Sequence, residues 1–113
     1  ALDLGTNSND SVDYPDYGRA IAEAIADGRA AMGVAVCGSG IGISIAANRV
    51  QGVRAALCHN SLDAELSRQH NDANILALGA RTTDVDVAKD CLSTFLNTEF
   101  EGGRHQKRVD KLG

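Results

Sequence analysis

At 113 residues and a formal net charge of -4, the chain has room for one domain and no basic surplus for nucleic acid or an anionic membrane. Apolar residues make up 43%, chiefly Ala, Val, Ile and Leu, and aromatics only 4% with no Trp, a mixture that suits a helix-covered parallel sheet better than a sandwich. No apolar stretch approaches membrane length and the opening Ala-Leu-Asp-Leu-Gly is no secretory signal; the odd, widely spaced set Cys37, Cys58 and Cys91 fits reduced cytoplasmic thiols, not a disulfide framework.

Ala1 to Gly5 reads as the tail of a strand, followed by a polar loop from Thr6 to Asp13. A helix is expected from about Pro15, with Ile21, Ala24 and Ile25 on one face and Gly28 closing it. Met32 to Cys37 reads as a strand, Ile43 to Asn48 as part of the next helix, and Val53 to Cys58 as the next strand. Asn60 and Ser61 are candidate caps for a helix that carries the i, i+4 apolar pair Leu62 and Leu66. Ile75 to Leu78 is a further strand, stopped at Gly79. The last long helix opens with Thr83 and Asp86 at capping-box spacing and lays Ala88, Cys91, Leu92, Phe95 and Leu96 along one side. Strands and helices alternate throughout, which predicts a parallel α/β sheet.

The richest segment is Val34-Ala-Val-Cys-Gly-Ser-Gly-Ile-Gly-Ile-Ser44, where a β-branched strand runs into a glycine-rich turn and then a helix. Gly38, Gly40 and Gly42 allow successive N–H groups to turn toward one point, and the helix adds its positive end, so negative charge is stabilised there, on sulfur or on a substrate oxygen. A cysteine closing a buried strand is most often a small hydrophobe. Such a residue has no need of three glycines directly after it, whereas Cys58 and Cys91 fit the core reading. The segment lacks the Lys-Ser/Thr that ends a Walker loop, and as a dinucleotide pattern it is weak.

In parallel sheets ligands gather beyond the carboxyl ends of the strands, where this chain places Cys37 to Gly42 and Arg81. His70, Asn71, Asp72 and Asn74 precede a strand and so belong to the opposite end; if His70 serves the Cys37 site, it does so from a neighbouring subunit. In the tail, Glu101-Gly-Gly-Arg-His-Gln-Lys-Arg-Val-Asp-Lys111, Arg104 and Arg108 stand one helical turn apart near Lys107 and Lys111. Like charges at that spacing repel unless an anion bridges them, and two guanidinium forks match a phosphate. The plain alternative is a solvated basic face.

Four motifs, Asp13-Tyr-Pro, Cys37-Gly-Ser-Gly-Ile-Gly-Ile-Ser-Ile-Ala-Ala-Asn48, Ser67-Arg-Gln-His-Asn-Asp72 and Glu101-Gly-Gly-Arg-His-Gln106, together resemble the type B ribose-5-phosphate isomerases, whose wider family includes the galactose-6-phosphate isomerase subunits. The resemblance covers essentially the whole chain. It implies an aldose–ketose isomerase that needs neither metal nor other cofactor and shuttles a proton between C1 and C2 of an open-chain sugar phosphate through an enediolate. By similarity, Cys37 is the proton acceptor and Gly38, Ser39, Gly40, Ile41 and Gly42 hold the enediolate oxygens. His70 assists ring opening, Asn71 binds sugar oxygens, Tyr14 lines the sugar pocket, and Arg81, Arg104 and Arg108 hold the phosphate. Where some family members place a carboxylate in the glycine loop, this chain has Ile43, which assigns it to the cysteine-dependent branch. The implied fold is a three-layer, flavodoxin-like sheet of order 2-1-3-4-5, and the implied assembly is a homodimer or dimer of dimers with sites shared across the interface.

One departure concerns the start. The family opens with a strand ending in an Asp-His pair, then a helix, and this chain begins after both, at what reads as the second strand. Loss of an interior strand leaves unpaired backbone on two neighbours, so the 113 residues read as part of a longer chain. Two other functions are weighed against the isomerase. A non-catalytic subunit, or a component of a galactose- or allose-6-phosphate isomerase, has the same fold, but a scaffold has no need of Cys37. A flavodoxin-like nucleotide module would want aromatic rings for stacking, and the chain has two Tyr and two Phe.

Overall fold

A computed structural model describes residues 3–5 and 13–113. In chain order the elements are α1 (Tyr14–Ala26), β1 (Gly33–Cys37), α2 (Ile41–Ala47), β2 (Ala55–Leu57), α3 (Ser61–Asn71), β3 (Ile75–Gly79), α4 (Val85–Asn97) and α5 (Arg104–Leu112). The three strands form one parallel sheet, Gly33 to Cys37 pairing with Ile75 to Gly79, and Ala55 to Leu57 with Ile75 to Ala77.

β3 organises the core because its side chains alternate between two buried faces. Ile75 and Ala77 join Ala22, Ala35, Ile43, Ala47 and Val53 under α1 and α2. Leu76 and Leu78 join Cys58, Ala64, Ala73, Cys91 and Phe95 under α3 and α4. The result is the expected three-layer α/β arrangement, with α5 packed on α3.

The strand order is β1-β3-β2, where the order 2-1-3-4-5 had placed the strand around Val53 between the other two. The physical reason is the composition of β3. Ile-Leu-Ala-Leu-Gly is apolar on both faces and fully buried, so it needs a neighbour on each edge and helices above and below, whereas the three-residue β2 is only partly buried and stays at an edge. Among the described residues no strand lies along the other edge of β1.

The expected first strand is not found in Asp3, Leu4 or Gly5; Ala1, Leu2 and most of the polar loop lie outside the described residues. The Gly5 N–H donates to the Asp3 carboxylate at 2.9 Å, a local turn that competes with a ladder. Helix starts follow the expected chemistry in α1, where Pro15 sits in the first turn, and in α3, where the Asn60 side chain accepts from the Asp63 N–H at 2.8 Å. α4 departs from it. Its cap is Asp84, without a side-chain bond, and Thr83 Oγ1 is buried without a partner, so no capping box forms. In α3 the inward face is Ala64, Ser67 and Arg68, while Leu62 and Leu66 are exposed; Leu96 of α4 is exposed as well.

Candidate active site

β1 ends at Cys37, and the turn Gly38-Ser39-Gly40 carries the chain into α2. Gly40 has φ +78°, a left-handed conformation that aims its N–H back at Cys37, donating to Sγ at 3.2 Å. The Ile41 N–H donates to Ser39 Oγ at 3.2 Å, and the Ser44 N–H closes the first helical turn on the Gly40 carbonyl at 3.2 Å. Gly42 and Ile43 therefore present N–H groups that have no acceptor within their own helix.

The turn is fixed from the next strand over. The Ala80 N–H donates to the Cys37 carbonyl and the Arg81 N–H to the Gly38 carbonyl, each at 2.9 Å. Gly79 is where the two segments touch, since a side chain there would collide with the Ser39 backbone and Thr82. Arg81 lies along Gly38, with Cδ, Nε and Cζ 3.5 to 3.6 Å from where a Cβ would stand. On the far side the Tyr14 ring lies against Gly42 so closely that a Cβ there would clash with it. Tyr14, Cys37, Gly38, Ser39, Ile41, Gly42 and Arg81 thus line one open cavity of about 600 Å³, together with Ile45 and Thr82. The structure brings these seven expected residues together, and Ile43 is buried beneath them in the core.

The three thiols separate by environment. Cys58 and Cys91 are buried in the core, and burial pushes the Cys58 thiol up to about 12 and raises that of Cys91. Both remain neutral and inert at ordinary pH. Cys37 is half-buried, opens on the cavity and receives a backbone N–H.

The remaining expected residues lie at the other end of the sheet. His70 is in the last turn of α3, before β3, and the step from Ile75 to Gly79, at about 3.3 Å per residue, holds the ends about 13 Å apart. The His70 ring stacks on the His105 ring with centroids 4.3 Å apart and planes inclined by 15°. Glu101 Oε1 faces the Nε2 atoms of both rings, and the Glu101 N–H donates to the Gln69 carbonyl at 3.0 Å. Burial, then the neighbouring His70 and Arg104, lower the His105 pKa. Asn71 is the last residue of α3, its carbonyl accepting from Arg54 Nε at 3.0 Å. Arg104 and Arg108 sit on the exposed side of α5, opposite the buried His105 and Val109, and make no salt bridge among the described residues.

Sequence reasoning gave no role to Glu101, His105 or Arg68. Glu101 and His105 are an i, i+4 pair that the Gly102-Gly103 turn folds back over α3, a closure invisible in the spacing alone. Arg68 is structural: its guanidinium bonds the carbonyls of Thr98 and Ala73 and the carboxylate of Asp72, and lies 5.7 Å over the Phe95 ring. Buried and bonded through Nε and Nη1, it pins α3 to the end of α4.

The fold is thus a parallel α/β sheet that gathers, at the carboxyl end of β1, a half-buried thiol on a glycine turn with a guanidinium beside it. The chain belongs to the ribose/galactose isomerase family, whose profile, described as Ribose/Galactose Isomerase, matches residues 1–112. It is similar to the ribose-5-phosphate isomerase B of Escherichia coli, 46% identical over 111 residues, covering 98% of this chain and 74% of that protein. It is also similar to the D-erythrulose-4-phosphate isomerase of Pectobacterium atrosepticum, 44% identical over 100 residues, covering 88% of this chain and 66% of that protein. Among solved structures, the ribose-5-phosphate isomerase B of Clostridium thermocellum superposes with a TM-score of 0.98 at 56% identity, covering 99% of this chain and 76% of that one. No helix among the described residues is long and apolar enough to cross a membrane.

Proposed function

We propose that this chain is an aldose–ketose isomerase that interconverts ribose 5-phosphate and ribulose 5-phosphate, with Cys37 as the base. The observation that carries the reading is the Gly40 N–H aimed at Cys37 Sγ, in a cavity walled by Arg81 and Tyr14. Cys37 as thiolate takes the C2 proton of the open-chain aldose. The C–H electron pair becomes the C1–C2 double bond and the carbonyl pair moves onto O1, giving a cis-enediolate; the O2 hydroxyl proton passes to O1, the O2 electron pair forms the C2 carbonyl, and the C1–C2 double-bond pair takes the proton back from Cys37 at C1, leaving the ketose and the thiolate. The N–H groups of the Gly38 to Gly42 turn stabilise the oxygen charge as it develops. Ser39 contributes through the same backbone, Ile41 does so once its N–H turns from Ser39 Oγ to the substrate oxygen, and Tyr14 shapes the sugar side.

His70 serves as the ring-opening acid and Asn71 as a ligand to sugar oxygens, while Arg81, Arg104 and Arg108 hold the phosphate. Because Cys37 and His70 lie at opposite ends of one subunit's sheet, the working unit is at least a homodimer, cytoplasmic, with each site drawn from two chains. The likeness to the D-erythrulose-4-phosphate isomerase favours a second reading, another phosphorylated sugar handled by the same chemistry. Kinetics with ribose, allose, galactose and erythrulose phosphates separate the two. The central test is Cys37→Ser, whose hydroxyl is not ionised near neutrality: kcat should fall by about 10² to 10⁴ while sugar-phosphate binding holds. Near-normal turnover removes Cys37 from the reaction.

A further inference from the structure

We propose that His70, Glu101 and His105 form a chelating site for a borderline divalent transition-metal ion of the zinc class, one per chain. Each residue offers one ligand atom, and the three atoms all lie within 4.8 Å of one another. Nε2 of His105 stands 3.5 Å from Glu101 Oε1, and Nε2 of His70 stands 3.7 Å from that same oxygen. Both separations exceed hydrogen-bond length, so the three groups face one another across a gap. The edge of a tetrahedron with metal–ligand bonds of about 2.0 to 2.1 Å is about 3.3 to 3.4 Å, so two of the three edges are already within a few tenths of an ångström of metal dimensions. Two imidazoles and one carboxylate also leave a fourth position for water or a substrate oxygen.

The cluster is held by the fold rather than by the ion. His105 is buried against α3, Glu101 is tied to the Gln69 carbonyl at 3.0 Å, and the positive-φ pair Gly102 and Gly103 turns α5 back so that all three side chains meet. One adjustment is required. The two rings stack at 15°, whereas each must aim its in-plane lone pair at the ion, so they must splay. His70, with 38% of its side chain exposed in the last turn of α3, is the ring free to do this; His105, at 10%, is the fixed one. Arg104 and Arg108 on the same helix oppose a dication, which makes the site a moderate binder and not a permanent metal centre.

Binding needs no substrate, but its consequence rests on the function proposed above: an ion on His70 removes the ring-opening acid. The test is a zinc titration of chelator-treated protein by calorimetry, without sugar phosphate. One ion per chain is expected, with Glu101→Gln and His70→Ala each weakening affinity at least tenfold, and His59→Ala without effect. His105→Ala leaves a hole in a packed position and can fail to fold, so the two exposed-residue variants carry the decision. Cobalt(II) supplies a second readout, in which visible bands without the intense near-ultraviolet absorption of a thiolate ligand are expected. Unchanged affinity in both variants overturns the site, and so does a thiolate band that disappears in Cys37→Ser. A protein that binds zinc here but, freed of metal by chelator, shows no isomerase activity refutes the proposed function alone. An active isomerase whose zinc affinity ignores both substitutions refutes the metal site alone.

Discussion

Replacing Gly40 by Ala tests whether the thiol turn is as tightly determined as its geometry implies. Gly40 has φ +78°, and a residue with a Cβ is strained there by about 1 to 2 kcal/mol. The new Cβ would also stand 2.5 Å from Leu57 Cδ1, 2.8 Å from the Leu78 carbonyl carbon and 3.0 Å from its oxygen. Leu57 can turn aside, but the Leu78 backbone is in the central strand and cannot, which adds about 1 to 3 kcal/mol of overpacking. The expected loss is therefore about 2 to 5 kcal/mol, a large share of a typical stability of about 5 to 15. Gly28→Ala is the matched control: φ is +83° there, but nothing lies within 4 Å of its Cβ, so only the conformational cost of about 1 to 2 kcal/mol remains. Urea unfolding followed by circular dichroism reads both variants. Equal losses in the two would refute the steric argument. Gly40→Ala should also depress turnover, because its N–H is the group aimed at Cys37 Sγ, whereas Gly28→Ala should leave turnover intact.

Truncating Arg104 or Arg108 to Ala should weaken a sugar phosphate by about 1.5 to 3 kcal/mol and leave the unphosphorylated sugar unaffected; equal effects on both ligands, read by calorimetry, return these residues to a solvated face. Mixing inactive Cys37→Ala and His70→Ala subunits should restore about a quarter of parental activity if each site draws on two chains, and no restoration despite subunit exchange shown by mass would place both residues in one chain's site. Cys58 predicts an alkaline limit. Its thiol ionises near 9.0 in an unfolded chain but only at about 12 when folded, so its contribution to stability is complete below pH 9 and is lost as pH rises toward 12. The urea midpoint of Cys58→Ala should fall less steeply across that window than the parent's, and parallel slopes would remove Cys58 as the cause.

Where local chemistry decides the structure, the sequence was legible. Pro15, Asn60, the glycines of the thiol turn and the uninterrupted apolar run of β3 all act through their own backbone or their nearest neighbours. The separation of Cys37 from His70 was legible too, because a strand's direction fixes which end its flanking loops occupy. Tertiary context decided the rest. Thr83 has the spacing of a cap but its Oγ1 is buried without a partner, Asp3 draws Gly5 into a turn in place of a ladder, and Arg68 reads as part of a polar motif yet is an internal clamp. The strand order departs from the 2-1-3-4-5 that the resemblance implied, although the composition of β3 already required a partner on both sides. The cluster at His105 depends on a helix returning across another, which no spacing rule encodes.

The central place of β3 also governs how the protein can be made. Both of its neighbours precede it in the chain, and they do not pair with each other. During synthesis β1 and β2 therefore emerge with no partner between them, and these two strands can join one sheet only once β3 is clear of the ribosome. Until then two apolar strands present open edges, which is when wrong pairing and aggregation are most favoured. A chain arrested or cleaved ahead of β3 would not be a smaller version of this protein but an unpaired precursor, its thiol turn without the Ala80 and Arg81 bonds that fix it.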